Sequence, residues 1–265
     1  MKIQIFKYKN LHPSIHEIRL VQSDSESDIL THFVPPLGNP ELLFYIDNEY
    51  QIKNAPCKKG LIKGQYTIAQ KIDFNPNYHF LSVSLHPYGL KQLFNVDASE
   101  FINTVVDIES HPMTTFLLSL FQGKKEIDIP FIELLAKEIS SFSLYPISSV
   151  TKDYLHAIKE QKDLSHSVKE LIKDKGIGLR TLQRAFKNET GLTPKEYLSI
   201  IRMNRIELRL KDKPNVFELI SDFDFTDQSH FIREVKHWRI YSLNELIKKK
   251  LLLSDQLPHP DLIYL

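Results

Sequence analysis

The chain has a single cysteine, Cys57, in 265 residues. No intrachain disulfide can form, which fits a reducing compartment such as the cytoplasm. Cys57 stands beside Lys58 and Lys59. Neighbouring positive charge favours a thiolate, but a plain loop cysteine is the simpler reading. Glycine is scarce, at 8 residues, and no P-loop, dinucleotide fingerprint or Gly-x-Ser-x-Gly elbow occurs. Paired-cysteine metal sites are excluded. His79 and His86 lie an odd number of positions apart on one candidate strand, so they point to opposite faces. No tight His-x-His pair accompanies them. The expectation is therefore no metal, no cofactor and no enzymatic activity. No apolar run is long enough to span a membrane. The start, Met1–Lys2–Ile3–Gln4–Ile5–Phe6–Lys7, alternates like a strand and has no signal-peptide core.

What the chain does have is a repeat. Ser167–Val–Lys–Glu–Leu–Ile is followed by Arg180–Thr–Leu–Gln–Arg–Ala–Phe–Lys187. Val216–Phe–Glu–Leu–Ile is followed by Ser229–His–Phe–Ile–Arg–Glu–Val–Lys236. Val168 matches Val216, Leu171 matches Leu219, Arg184 matches Arg233 and Lys187 matches Lys236. A short helix, a tight turn and a basic second helix, given twice, predict two helix-turn-helix units.

Spacing separates inside from outside. Val168, Leu171 and Ile172 share one stripe, as do Leu182, Ala185 and Phe186. Gly176 supplies the turn. Arg180, Gln183, Arg184 and Lys187 fall on the opposite side. In the second unit Val216, Leu219, Ile220, Phe231 and Val235 face inward. Gln228, Ser229, His230 and Arg233 are left outside, with Thr226 or Asp227 placed to cap the helix. Arg suits guanine edges and Gln adenine edges, while Lys187 and Lys236 suit phosphate. Between the units, Thr193–Pro194–Lys195–Glu196 combines a capping box with Pro at the first helical position. That predicts a connecting helix ending before Pro214.

Thr181–Leu–Gln–Arg–Ala–Phe–Lys–Asn–Glu–Thr–Gly–Leu–Thr–Pro–Lys–Glu–Tyr197 closely resembles the DNA-binding domain of the AraC/XylS family of bacterial transcription regulators. Asp227–Gln–Ser–His–Phe–Ile–Arg–Glu–Val–Lys236 resembles the same family's second unit. The resemblance covers roughly residues 150–250. It implies double-stranded DNA as partner. It also implies base reading by Arg180, Gln183 and Arg184, then by Gln228, Ser229, His230 and Arg233. RNA polymerase contact, transcription activation, a homodimer and a small-molecule effector are further expectations from the family. The second unit departs from the pattern at Asp224, where a turn Gly is usual, at Arg239–Ile240, at Leu243 and at Leu246.

Charge is distributed unevenly. The whole chain carries +1. Residues 167–213 hold 12 Lys/Arg against 6 Asp/Glu, residues 214–250 hold 6 of each, and residues 1–150 hold 13 against 16. Basic charge thus gathers on the first unit, as phosphate attraction requires.

Residues 1–108 read as β-rich, with strands expected at Lys2–Tyr8, Glu41–Ile46, Tyr50–Lys53, Gln65–Gln70 and Tyr78–Leu85. Phe33–Val–Pro–Pro–Leu–Gly–Asn–Pro–Glu–Leu–Leu–Phe44 and Leu81–Ser–Val–Ser–Leu–His–Pro–Tyr–Gly–Leu90 resemble the cupin-like N-terminal domain of one subgroup of these regulators. Such a domain senses a ligand or mediates association. Residues 109–146 switch to helical character at Met113–Phe121 and Phe131–Phe142, which either form a subunit contact or pack on the sheet domain. The expected fold is α+β: a cupin-like barrel, a helical connector, an all-α domain of two helix-turn-helix units over 147–250, and a tail, 251–265. The competing reading is a cupin-like metal- or sugar-dependent domain that carries a DNA-binding module.

Overall fold

The computed structural model is an α+β protein in which a largely antiparallel sheet precedes a run of helices. It describes residues 2–7, 13–22, 30–46, 59–74, 78–124, 126–161, 168–173, 176–210, 216–223, 225–238 and 261–264. The strands are β1 (Lys2–Lys7), β2 (Ile15–Gln22), β3 (Leu30–Val34), β4 (Glu41–Tyr45), β5 (Gly60–Lys63), β6 (Gln70–Phe74), β7 (His79–Leu85), β8 (Val105–Asp107) and β9 (Asp261–Tyr264). Seven of them form one sheet in the order β8-β5-β4-β7-β2-β1-β9, and β3 pairs with β6 beside it. β9 brings the end of the chain back to the sheet, pairing in parallel with β1. The expected strand at Gln65–Gln70 is corrected: these residues join β5 to β6, and only Gln70 is in a strand. Tyr50–Lys53, Cys57 and Asp224 lie outside the described residues.

The helices are α1 (Gly89–Phe94), α2 (Pro112–Ser119), α3 (Ile129–Ser140), α4 (Ser149–Glu160), α5 (Val168–Ile172), α6 (Leu179–Thr190), α7 (Pro194–Leu210), α8 (Val216–Asp222) and α9 (Gln228–Trp238). One face of the sheet, with Ile18, Leu20, Leu42, Phe44, Leu81, Val83 and Leu85, packs on Leu117 and Phe121 of the α2 segment and on Phe131, Ile132, Leu135 and Ile139 of α3. The connector helices therefore cover the sheet, and Phe121 stacks on Phe44 at 4.7 Å.

Strand alternation sends the neighbouring residues to the other face, where a buried polar cluster stands beside Val21, Tyr45 and Phe80. Buried Glu41 accepts from Lys63 Nζ at 2.8 Å, Arg19 Nη1 at 3.2 Å and Ser82 Oγ at 3.2 Å. Arg19 also reaches Glu17 at 2.5 Å. Burial alone would raise the Glu41 pKa, but Lys63 and Arg19 outweigh it and hold the carboxyl below its usual range.

A second core belongs to the C-terminal helices. Tyr154, Phe186 and Tyr197 meet edge-on, with ring centroids at 5.2 and 5.5 Å. The buried Tyr154 hydroxyl is satisfied, donating to the Pro194 carbonyl at 2.8 Å. Ile200, Met203 and Ile206 of α7 extend the same core to Leu219, Phe223, Phe231 and Val235, so both helix-turn-helix units share one interior.

The two cores meet at the end of α6. Gly191 closes that helix at φ 85°, in the left-handed region. A Cβ there would lie 2.6 Å from both the Ala98 carbonyl oxygen and Ile102 Cδ1 of the sheet domain. Gln65 Nε2 donates across the same joint, to the carbonyls of Pro87 and Thr190, each at 3.2 Å. Leu37 accepts from Asn204 Nδ2 of α7 at 3.4 Å. His86 lies nearby, with ring centroids 5.6 Å from His16 and 5.8 Å from Tyr88.

Gly191→Ala is expected to cost about 1–3 kcal/mol for the left-handed backbone, plus the clash with Ala98. Gly176, at φ 64° with open space around it, is the comparison. Gly191→Ala should lower the thermal midpoint measurably more than Gly176→Ala, and equal shifts would refute the close joint. A second expectation concerns acid. Burial, then His16 and Lys159 of α4, push the His86 pKa from 6.5 down to about 4. The unfolded chain binds a proton from pH 6.5 downward while the folded chain stays neutral, so stability is full above 6.5 and falls as pH drops toward 4. Denaturant unfolding measured across that window should show a shallower pH slope in His86→Gln.

Candidate nucleic-acid interface

The first unit begins with α5, whose Ile172 is buried in the shared core. Gly176 turns the chain at φ 64°, and Ile177 then packs against the core. In α6, Leu182 and Phe186 are fully buried while Arg180, Gln183, Arg184 and Lys187 are exposed. The helix thus has a sharply divided surface, apolar within and basic without. Its N-cap is Gly178, no side chain caps it, and no acidic residue stands in its first turn. The positive end of the helix dipole is therefore left uncompensated by side chains beside Arg180, a favourable place for a phosphate oxygen.

The other end of α6 is anchored. Glu189 is buried and accepts from the Ser148 backbone N–H and hydroxyl, each at 2.9 Å. Ser148 is in turn the N-cap of α4. Thr193 and Glu196 form a reciprocal capping box at the start of α7: the Thr193 N–H donates to Glu196 at 2.7 Å, and the Glu196 N–H donates to Thr193 Oγ1 at 3.2 Å. α7 then reaches the second unit.

In α9, Gln228, Ser229, Arg233 and Lys236 are exposed, and Phe231 and Val235 are buried. His230 departs from the outward position expected of it. It is half-buried, its ring edge-on to Phe225 at 5.3 Å. Asp227 caps the helix, accepting from the His230 N–H at 2.7 Å. A carboxylate therefore stands where the first unit has none.

Three basic residues of α7 are committed within the molecule, which the charge count alone could not reveal. Arg205 Nη2 donates to the Ile158 carbonyl at 3.1 Å, and its Nη1 to that of Gln161, closing the end of α4. Arg209 pairs with Asp222 and lies over Phe223 at 5.9 Å. Arg202 lies over Phe225 at 5.9 Å.

Residues 171–249 match a family described as a helix-turn-helix domain, and the matched span runs from the end of α5 through α9. The chain carries a helix-turn-helix domain of the AraC type over residues 171–249. It carries the DNA-binding module of a transcription regulator. Residues 8–107, which hold most of the sheet, match a domain of unknown function, DUF6597. No curated protein matches the chain at a significant level. Among solved structures, ToxT from Vibrio cholerae aligns over 89% of this chain and 99% of its own, at 10% identity and a TM-score of 0.42, a likeness too distant to carry weight. Among the described residues, no helix is long and apolar enough to cross a membrane, and no group of three or more His, Cys, Asp or Glu is placed to hold a metal ion.

The contrast at the two helix starts gives an expected outcome. Asn is as good an N-cap as Asp, so Asp227→Asn should leave stability nearly unchanged while removing a negative charge from the exposed start of α9. DNA affinity at low salt should rise in Asp227→Asn. Asp227→Ala should instead lose about 1 kcal/mol of stability, read by denaturant unfolding.

Proposed function

We propose that the protein is a sequence-specific, double-stranded DNA-binding regulator of transcription that reads its site with two helices. The observation that carries this reading is the pair of polar, exposed faces on α6 and α9, presented from one shared core. Arg180, Gln183 and Arg184 are the base-reading residues of the first head and Lys187 its phosphate contact. Gln228, Ser229 and Arg233 read bases in the second, with Lys236 on phosphate. His230, packed on Phe225, chiefly orients α9. The first head dominates, because its recognition helix starts without a carboxylate and its face is more basic.

The sheet domain, residues 1–108, regulates rather than touches DNA. With 10 Lys/Arg against 11 Asp/Glu it lacks the basic excess that phosphate attraction requires. Its seat on the end of α6 gives it a mechanical hold on the first head. A small-molecule effector or pairing of two copies through residues 109–146 is the input, and activation through RNA polymerase in a bacterial cytoplasm is the output. A catalytic role for the sheet domain is disfavoured by its polar face, where Glu17, Arg19, Glu41 and Lys63 neutralise one another. Stoichiometric metal in purified protein would revive it.

Footprinting should show protection of two major-groove segments about ten base pairs apart by a single copy. Protection of one segment only would rule out the two-headed reading. Within the first head, Arg184→Ala should cost about 1–3 kcal/mol and relax preference at one base pair. Lys187→Ala should weaken all sequences alike and reduce the salt slope by about one. Binding to a randomised duplex library separates the two, and a uniform loss from both would remove Arg184 from base reading.

A further inference from the structure

Among the described side chains of helix α9, one apolar group lies in water. Ile232 is 42% exposed, whereas Phe231 and Val235 on the inner stripe are at 0% and 1%. Its neighbours on the outer surface are Ser229, Arg233 and Lys236, three residues back, one ahead and four ahead, all exposed and polar. Helical spacing places Ser229, Ile232 and Lys236 along one ridge.

A lone exposed isoleucine calls for no explanation. The position of this one does. Arg233 matches Arg184 and Lys236 matches Lys187 in the repeat, so Ile232 stands where Gln183 stands in α6. The structure supports that register, because the matched inner pairs Leu182 with Phe231 and Phe186 with Val235 are all buried. Gln183 and Ile232 are both exposed. One head thus presents a side chain with donor and acceptor at this position, and the other presents a side chain with neither.

Isoleucine cannot hydrogen-bond a base edge. What the major groove offers an apolar group is the C5 methyl of thymine. We infer that Ile232 is a further specificity residue, contacting a thymine methyl in the part of the site read by α9. The inference rests on the DNA-reading role proposed above. It also assigns different base preferences to equivalent positions of the two heads: adenine opposite Gln183, thymine opposite Ile232.

The test uses the full chain and a duplex selected by it from a randomised library. Each thymine in the segment protected by α9 is replaced in turn by deoxyuridine, which lacks only the methyl. One replacement should weaken binding about fourfold, the loss of one buried methyl-sized group (~0.8 kcal/mol). In Ile232→Ala that same replacement should have no effect, and Ile232→Gln should shift the preference at that base pair toward adenine. Ile232 is exposed, so these variants should fold, and an unchanged thermal midpoint checks that they do. If every deoxyuridine replacement acts alike on the wild type and on Ile232→Ala, the inference is wrong while DNA reading stands. If the library yields no preferred sequence at all, both fall.

Discussion

The arrangement of this protein depends on one close approach. At Gly191 the end of the first recognition helix, the start of the connecting helix and the backbone of the sheet domain occupy the same small volume. Any side chain there would separate them. A left-handed residue ends α6, the turn it makes delivers Thr193 to its capping box, and the capping box starts α7. Because α7 carries the second unit, the geometry of both heads descends from that turn. Because Ala98 and Ile102 rest on it, so does the attachment of the sheet domain.

The two heads are built alike and equipped differently. Both bury an apolar stripe in a common interior, and both show polar residues to solvent. The first begins its recognition helix with glycine and no acid; the second begins with Asp227, whose carboxylate holds the helix end. A cap stabilises the helix at the expense of attraction for phosphate. The second unit also relies on Arg202 and Arg209 from α7, which cover Phe225 and Phe223. Those two arginines thus serve the fold of the second unit, while Arg233 and Lys236 of α9 stay exposed.

The helical half was legible in the sequence because its signals are local. Leu182, Phe186, Phe231 and Val235 are spaced by the helical period, and Thr193 with Glu196 announces a helix start. The sheet half was less legible. In β7 the alternation of Leu81–Leu85 is plain, but β2 carries an irregularity at Ile15–Glu17 and β5 is only four residues long. Gln65–Gln70 reads as a strand, yet these residues turn away from the sheet so that the Gln65 amide can bridge two carbonyls far apart in sequence. Periodicity likewise assigns a face without weighing partners. It sets His230 outside, though Phe225 draws the ring in, and it overlooks Ile232 because an isoleucine is expected to be buried. The commitments of Arg202, Arg205 and Arg209 are tertiary, and no count of charges reveals them.

Helix α6 runs from the domain seam at one end to Arg180 near the other, with Leu182 and Phe186 buried in the helical core between them. Its 12 residues span about 18 Å, with the sheet domain gripping the C-terminal end and Arg180 near the other. A tilt of about ten degrees at the grip carries the far end through about 3 Å, close to the rise of one base pair. Because Leu182 and Phe186 tie the helix to the helical core, a shift at the domain seam large enough to displace the exposed side chains of α6 by one such step would have to carry that core with it.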